Sequence, residues 1–369
     1  MSKSLTALGL MSGTSLDGID VALLHTDGEA AVQRGPAATF PYDEGQQAML
    51  RQAIADAAGM TERGQRHGAL AEVEANLTLW HAKAVQAFLA NKGLTPSNID
   101  VIGFHGQTVL HRPEARLTVQ LGDGAALARA TGIAVVADMR AADVAAGGQG
   151  APLVPVYHAA LAPAKPCAFV NIGGVANVTY VGRTGDLLAF DTGPGNALIN
   201  DWMMQQVGKP FDAGGQMARR GKPSAAHVEA ALAHPFFAGT PPKSLDRNSF
   251  AHLRWDGLSV DDGAATLVAF TAHAIARAAA WFPEVPERWI ICGGGRHNAA
   301  IMAALAALLP AVARAEDFGL NGDSMEAEAW AYLAVRSLKG LPLTFPGTTG
   351  IAARSSGGVF FTAHSSPSS

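Results

Sequence analysis

Short apolar runs alternate with longer amphipathic stretches along the chain, and glycine clusters fall where one gives way to the other. Ala7–Met11 is an apolar run that ends in SGTSLDG, and Ile19–His25 follows as a second run. Two such runs around a glycine-rich turn predict a strand hairpin. Val73, Leu77, Trp80, Ala84 and Phe88 recur at helical spacing, so Leu70–Lys92 is predicted to be a helix, stopped by Gly93. Val101–Phe104 predicts a short buried strand whose end delivers His105, Gly106, Gln107 and Thr108. A helix over Asp123–Ala130 and a buried strand over Ile133–Ala137, ending at Asp138, complete the first block.

A second block begins near Gly147–Pro152, a stretch too rich in glycine to lie inside an element. Ala168–Ile172 and Val175–Val181 flank Gly173-Gly174 and predict another hairpin. Ala189–Phe190 leads into Asp191-Thr192-Gly193-Pro194-Gly195-Asn196, and Ala197–Gln206 continues as a helix. Ala264–Phe282 is predicted to be one long amphipathic helix, Trp289–Cys292 a strand, Gly293–Gly295 a turn and Asn298–Leu309 the next helix. From about Thr362 the chain is serine-rich and is expected to fray. No tandem repeat with a period of roughly 20–50 residues is present. What recurs is a motif type, a glycine-turn hairpin that opens each half. The pattern predicts a mixed α/β architecture, with glycine turns at the strand ends where open α/β sheets bind ligands.

Composition narrows the function. At about 150 residues per domain, a chain of 369 residues makes two to three domains and needs no metal or disulfide to staple its core. Lys and Arg number 27 against 31 Asp and Glu, a net charge of −4, and only 16% of residues are charged. That excludes a polybasic nucleic-acid binder and an acidic disordered chain. Cys167 and Cys292 lie far apart in apolar runs, which predicts two small buried hydrophobes rather than a zinc site or disulfide framework. The N-terminal apolar stretch runs straight into Gly and Asp, unlike a signal peptide. The longest apolar run, Ala299–Ala313, contains Pro310 and falls short of the ~18 residues of a membrane span. The expectation is a soluble, cytoplasmic protein in a reducing compartment, with neither nucleic acid nor membrane as a partner.

Several motifs carry candidate chemistry. Gly13-Thr14-Ser15-Leu16-Asp17-Gly18 offers glycines that admit an anion to the backbone and two hydroxyl donors, or is an ordinary hairpin turn. It has no following Lys and is not a P-loop. Asn171-Ile172-Gly173-Gly174-Val175-Ala176-Asn177 poses the same pair of readings. Cys292-Gly293-Gly294-Gly295 is either a flat ligand contact or a tight strand–helix junction. Asp191, read at a strand end before a Gly-Pro-Gly loop and a helix, has the fixed placement a general base needs, or caps that helix. His105 is a ligand or a satisfied structural histidine. Arg140 clamps a substrate or pairs with Asp138 or Asp143. Glu326 opens the predicted helix Ala327–Leu338, where the helix dipole alone favours a carboxylate. The other histidines lack the H-x-x-x-H spacing of zinc ligands.

Taken together, GLMSGTSLDGID (9–20), FHGQT (104–108), ADMRAADVAAGGQGAPLVP (137–155), NIGGVANVT (171–179), FDTGPGN (190–196) and ICGGG (291–295) resemble the anhydro-N-acetylmuramic acid kinases, within the sugar-kinase, actin and heat-shock-chaperone superfamily. Ordered motifs spread across both halves make this far more specific than one glycine loop. The resemblance implies a two-domain actin/hexokinase-like ATPase fold with an interdomain active-site cleft. Residues 1–135 would form the first domain, with 340–369 as a candidate to complete it, and 136–339 the second. It implies ATP and Mg²⁺ as cofactors, a homodimer, and a first phosphate loop at Gly13, Thr14, Ser15, Leu16, Asp17, Gly18, Ile19 and Asp20. Asn171, Gly173 and Gly174 would form the second phosphate hairpin, and Gly293, Gly294 and Gly295 would meet the adenosine side. Asp191 falls on the family's catalytic aspartate, and His105, Gln107, Arg140 and Glu326 fall on the sugar site. The implied reaction is phosphorylation of 1,6-anhydro-N-acetylmuramic acid with hydrolytic opening of its anhydro bridge, in cell-wall recycling.

Two departures stand out. The strand before the first loop reads Gly9-Leu10-Met11-Ser12, without the Asp that organises Mg²⁺ in most sugar kinases, so the metal ligands stay unassigned. The 242–248 segment, beginning Pro242-Lys243-Ser244-Leu245-Asp246-Arg247, matches the family only at Lys, Ser and Arg and receives no role. An ordinary sugar kinase of the same fold and a non-catalytic ATP-switched binding module are the alternatives.

Overall fold

The computed structural model describes residues 3–363, so the tail from 364 onward, and the fraying expected of it, lie outside the described residues. In chain order the strands and principal helices are β1 (Leu5–Ser12), β2 (Gly18–Thr26), β3 (Val32–Pro41), α1 (Glu44–Ala57), α2 (Leu70–Lys92), β4 (Val101–Arg112), β5 (Leu117–Leu121), α3 (Gly124–Thr131), β6 (Val135–Ala137), α4 (Ala141–Ala145), α5 (Pro155–Leu161), β7 (Cys167–Ile172), β8 (Val175–Val181), β9 (Leu187–Pro194), α6 (Ala197–Val207), α7 (Ala225–Leu232), α8 (Val260–Ala276), β10 (Arg288–Cys292), α9 (Ala299–Leu308), β11 (Val312–Arg314), α10 (Met325–Leu338), α11 (Pro346–Thr349) and β12 (Val359–Phe361). They pack as two compact units. One runs to Leu161 and resumes at Ser324, and the other is Ala162–Asp323.

In the first unit the sheet order is β12-β6-β4-β1-β2-β3, with β5 paired to β4. The predicted hairpin forms in antiparallel register, Leu5 opposite Thr26 and Met11 opposite Asp20. Strand β4 lies parallel to β1 and to β6. Ala7, Leu8 and Leu10 are buried because helices cover both faces, which is why β1 is a continuous apolar run rather than an alternating one. On one face, α2 buries Leu70, Val73, Leu77, Ala84 and Phe88, and ends where Gly93 turns left-handed at φ 63°. On the other lies α10, whose backbone rests directly on the strands. A Cβ on Gly9 would strike the Ala327 carbonyl, and one on Gly103 the Trp330 carbonyl.

The second unit repeats the plan. Its order is β11-β10-β7-β8-β9, with β7, β8 and β9 antiparallel in turn and β10 and β11 parallel to β7. The pattern antiparallel, antiparallel, parallel, parallel is that of β3-β2-β1-β4-β6 in the first unit. Thus the hairpin motif seen to open each half marks two copies of one topology. Helices α6, α8 and α9 bury this sheet with Trp202, Leu267, Ile275 and Ile301, packed against Trp289 and Ile291 of β10. Val260–Trp281 is long and apolar enough to cross a membrane by composition, but most of it is buried inside this unit, as a core helix would be.

The structure corrects four boundaries. Strand β4 continues through His105–Thr108 to Arg112, because β5 pairs with this stretch. Asp191 lies inside β9 rather than at its end, since Gly193 and Pro194 still face Ala176 and Val175 of β8. Helix α8 starts at Val260, where Ser259 caps it, and ends at Ala276, followed by a tighter turn over Arg277–Trp281. The units divide near 161/162 and 323/324 instead of 135/136 and 339/340, because α10 belongs to the first sheet. Strand β3 and helix α1 escape the sequence pattern. Strand β3 is a mostly exposed edge that tolerates Gly35 and Pro36, and α1 is announced only by the reciprocal capping of Asp43 and Gln46.

Adding a methyl group at Gly9 or Gly103 must push α10 off the sheet. We expect Gly9→Ala and Gly103→Ala each to destabilise the protein by roughly 1–3 kcal/mol, the usual range for overpacking. Gly59→Ala, where a Cβ meets nothing within 4 Å, should leave stability unchanged or slightly higher. Urea unfolding midpoints of the three variants test the contrast.

Candidate functional site

The first glycine loop joins β1 to β2 and is fastened from below. Ser12, fully buried, donates its hydroxyl hydrogen to Gln107 Oε1 at 2.6 Å and accepts from the Tyr42 hydroxyl at 2.8 Å. The Gln107 amide returns a hydrogen bond to Gly13 O at 3.2 Å. Both ends of Gln107 are therefore engaged by the loop. Leu16 takes a left-handed φ of 57° and is held there by burying its side chain. Thr14, Ser15 and Asp17 are exposed above it, Ile19 is buried below, and Asp20 accepts from Thr39 Oγ1 at 2.5 Å.

Beside that loop the structure gathers His105, Arg140 and Glu326. The His105 ring donates from Nδ1 to Ser12 O at 3.2 Å, and its Nε2 accepts from Arg140 Nε at 3.2 Å. These two bonds require the neutral Nδ1–H tautomer. Burial, and secondarily the Arg140 charge, hold the imidazole well below its ordinary pKa, so it stays neutral at physiological pH. Arg140 pairs with neither Asp138 nor Asp143. Its guanidinium donates to Gly150 O at 2.8 Å and lies 5.3 Å from the centroid of the Trp330 ring, which also packs 4.5 Å from the His105 ring. Asp138 instead pairs with Arg63 at 2.5 Å. Asp143 holds the glycine loop, accepting from Gly150 N at 2.6 Å and Thr349 Oγ1 at 2.7 Å. Glu326 stands in the first turn of α10, open to water yet closely surrounded by protein. That surrounding raises its pKa, Arg140 opposes the rise and Asp20 adds to it.

In the second unit the hairpin turn, the Gly195-Asn196 stretch that follows β9 and the Gly293 turn converge through backbone contacts. Gly173 O accepts from Asn196 N at 2.7 Å, and Gly174 O from Gly195 N at 2.9 Å. The Asn196 side-chain amide donates to Ile172 O at 3.1 Å. Gly293, at φ 71°, packs against Asn171 and Ile172, and its carbonyl accepts from the buried Arg296 guanidinium at 2.9 Å. Arg296 also reaches Glu316 at 2.8 Å and Asp323 at 2.7 Å.

The motif glycines fall into two groups. Gly18, Gly195, Gly293 and Gly295 are required by the fold, since a Cβ on any of them would strike neighbouring protein atoms. Gly13, Gly173, Gly174 and Gly294 are not. Their backbones avoid the left-handed region, and a Cβ would meet nothing closer than 3.5 Å. What these four leave bare is backbone facing open space, the surface an anion needs for close approach.

Asp191 sits opposite Asn177 on β9, the outer strand of its sheet. Its Oδ2 accepts from Leu245 N at 2.7 Å, and its own N–H donates to Lys243 O at 2.9 Å. No other hydrogen bond to the carboxylate is found among the described residues. Burial raises its pKa to about 6, with the Leu245 N–H opposing the rise. It does not cap α6, whose first turn begins six residues later. Among the described residues no three His, Cys, Asp or Glu side chains gather as a metal cage. Cys167 and Cys292 are both buried, as expected of small apolar side chains. Sequence reasoning missed Ser12, Tyr42, Trp330, Asn196, Arg296 and Leu245. Asn196 and Ser12 lay within recognised motifs, whereas Tyr42, Trp330 and Leu245 carry no local signal, because only folding brings them to the site.

The division of the glycines is open to measurement. Gly195→Ala and Gly295→Ala should lower the thermal midpoint by several degrees, from ~1–3 kcal/mol of overpacking. Gly173→Ala and Gly174→Ala should melt with the parent protein.

Comparison with known proteins matches this arrangement to one family. The profile of the anhydro-N-acetylmuramic acid kinases matches residues 5–363. An anhydro-N-acetylmuramic acid kinase of Rhizobium etli is 54% identical over 364 residues, covering 97% of this chain and 98% of its own length. That of Rhodopseudomonas palustris is 54% identical over 361 residues, covering 96% and 98%. Among solved structures, the activator of the 2-hydroxyisocaproyl-CoA dehydratase from Clostridium difficile aligns with a TM-score of 0.46 and 12% identity, over 91% of this chain and 96% of that one. Matched almost end to end at more than half identity, the chain belongs to the anhydro-N-acetylmuramic acid kinase family.

Proposed function

We propose that the chain is an ATP-dependent kinase that converts 1,6-anhydro-N-acetylmuramic acid and water into N-acetylmuramate 6-phosphate and ADP, in cell-wall recycling. The observation that carries the mechanism is the Asp191 carboxylate. One oxygen is fixed by a backbone N–H, the other has no protein partner among the described residues, and burial poises it near pH 6. A general base needs fixed geometry, a vacant acceptor and a pKa near working pH. Asp191 takes a proton from water as the water oxygen attacks C1 from the face opposite the C1–O6 bond. The bonding pair leaves on O6, which takes the γ-phosphoryl group as ADP departs. Because phosphorylation captures O6, no second carboxylate has to protonate it, in contrast to a glycosidase pair.

Phosphoryl transfer is otherwise a matter of positioning and charge. Bare backbone at Gly13, and at Gly173 and Gly174, supports the assignment of residues 13–20 and 171–174 to the nucleotide phosphates, with Gly293–Gly295 on the adenosine side. Arg140 and Glu326, one cation and one carboxylate beside the first loop, suit the sugar acid and its hydroxyls. His105, neutral and bonded to Arg140, and Gln107, bonded to the loop, hold these groups in place. Mg²⁺ supplies charge neutralisation on the phosphates when bound. It keeps most of its waters and needs only one or two carboxylates, and Asp20, close enough to influence Glu326, is a fitting one. This reading places the enzyme in the cytoplasm, where ATP is available, and as a homodimer in keeping with its family.

Incubation with ATP, Mg²⁺ and the anhydro sugar should give a sugar 6-phosphate by mass spectrometry, whereas N-acetylglucosamine and N-acetylmuramate should not be phosphorylated. Asp191→Asn should lose roughly 10²–10⁴-fold in turnover while still binding both substrates. In ¹⁸O-labelled water the label should enter at C1, and the first-formed product should be the α-anomer. Label in the phosphate, or a fully active Asp191→Asn enzyme, would overturn the mechanism. Since the base must be ionised, kcat should rise with pH through about 6. A separate measurement tests the loops. Gly13→Val and Gly174→Val should fold yet bind ATP roughly ten- to a hundredfold more weakly, the worth of one hydrogen bond to a charged group.

A further inference from the structure

The 242–247 segment, to which the family resemblance gave no role, runs along the outer edge of β9. It touches that edge at Asp191 twice. Lys243 O accepts the Asp191 N–H at 2.9 Å, and Leu245 N donates to the Asp191 carboxylate at 2.7 Å. One bond fixes the backbone of the residue and the other fixes its side chain, so a two-residue stretch sets the aim of the carboxylate oxygens. The segment is itself anchored on both sides of the contact. The Lys243 ammonium donates to Phe236 O at 3.0 Å and stands 4.6 Å from the Phe236 ring centroid and 5.8 Å from that of Trp281. It lines a cavity of about 240 Å³ with Thr192, Phe237, Arg277 and Trp281, in which no acidic side chain competes for it. The Leu245 side chain packs on the aromatic cluster that contains Phe250 and Phe270.

We propose that Lys243 and Leu245 are positioning residues for Asp191: the segment they belong to is a clamp that orients the general base, with Lys243 as its tether and the Leu245 N–H as its grip. The proposal rests on the reading of Asp191 as base. Charged groups near Asp191 in its own unit do not replace the clamp. Lys243 is turned to Phe236, Arg277 donates to Leu232 O and lies over Phe237, His273 on α8 is exposed, and Asn177 opposite on β8 is uncharged. The Leu245 N–H is thus the hydrogen bond that favours the ionised form, against the burial that disfavours it.

Leu245→Pro deletes that N–H, and it also fixes φ and removes the Leu side chain, so Leu245→Ala is the control for the lost side chain. The kcat of Leu245→Pro should fall, and the acid limb of its pH–rate profile should move up by about one pH unit, as expected for one backbone hydrogen bond to a carboxylate. KM for ATP should not change. Leu245→Ala trims the side chain but retains the N–H, and its limb should stay near pH 6. In Lys243→Met the tether is cut, and hydrogen exchange at the Asp191 and Leu245 amides should speed by roughly tenfold or more as the clamp opens locally. A folded Leu245→Pro enzyme with an unmoved acid limb would overturn the clamp. If that variant does not fold, unchanged exchange in Lys243→Met would do so. Wild-type inactivity on the anhydro sugar, or full activity of Asp191→Asn, would instead overturn the reading of Asp191 and leave the exchange result standing.

Discussion

The close seat of α10 on β1 and β4 is the contact on which the first unit depends. Gly9 and Gly103 remove the side chains that would hold the helix away, and Ala327, Ala331 and Ala334 keep its own face small. At that distance the Trp330 indole enters the sheet layer, donates to Met11 Sδ at 3.2 Å and becomes the platform under both His105 and Arg140. Glu326, one turn earlier, arrives beside Arg140 by the same docking. A helix that follows the entire second unit in sequence therefore completes the polar cluster of the first. Without it, Arg140 would lose its ring platform and Glu326 would have no fixed place.

The same economy of side chains appears in the glycine turns, for two different reasons. Some glycines are empty because protein fills the space a Cβ would need, as where Gly195 meets Gly173 O. Others are empty toward open space, and there the fold gains nothing from the missing side chain. Such positions are conformationally costly in any chain, because glycine loses more freedom on folding than other residues. Their occurrence in the hairpin turns of both topologically equivalent units fits a cradle for phosphate built twice from one plan. On the proposed reading, one copy kept this role beside the sugar-facing groups and the other beside the base.

Asp191 illustrates how burial and hydrogen bonding set a working pKa. Moving a carboxyl group from 3.8 to about 6 costs the ionised form ~3 kcal/mol relative to solution. Above pH 6, where the folded protein holds the anion, that cost weighs against folding. It is relieved as pH falls through 6 toward 4, where the folded state binds the proton before the unfolded one does. A carboxylate kept in this condition is one the fold would discard if packing alone mattered. The single N–H from Leu245 limits the cost without removing the basicity.

Much of this was written locally. The apolar runs, the glycine turns and Gly93 determined the strands, both hairpins and helix α2, because strand and helix periodicity act over neighbouring residues. Motif order was enough to indicate the family. Other features needed the folded chain. Whether Asp191 ends a strand or lies within one was decided by Gly193 and Pro194 pairing with β8. Whether Arg140 meets an aspartate or a histidine was decided by where Trp330 lands, and the grip on Asp191 by a segment 54 residues away. The sequence by itself determined which residues can do chemistry and which elements carry them, since those follow from side-chain type and short-range spacing. Only the tertiary structure decided their partners, protonation and aim, because burial and hydrogen bonding between distant segments exist only once the sheets and α10 have packed.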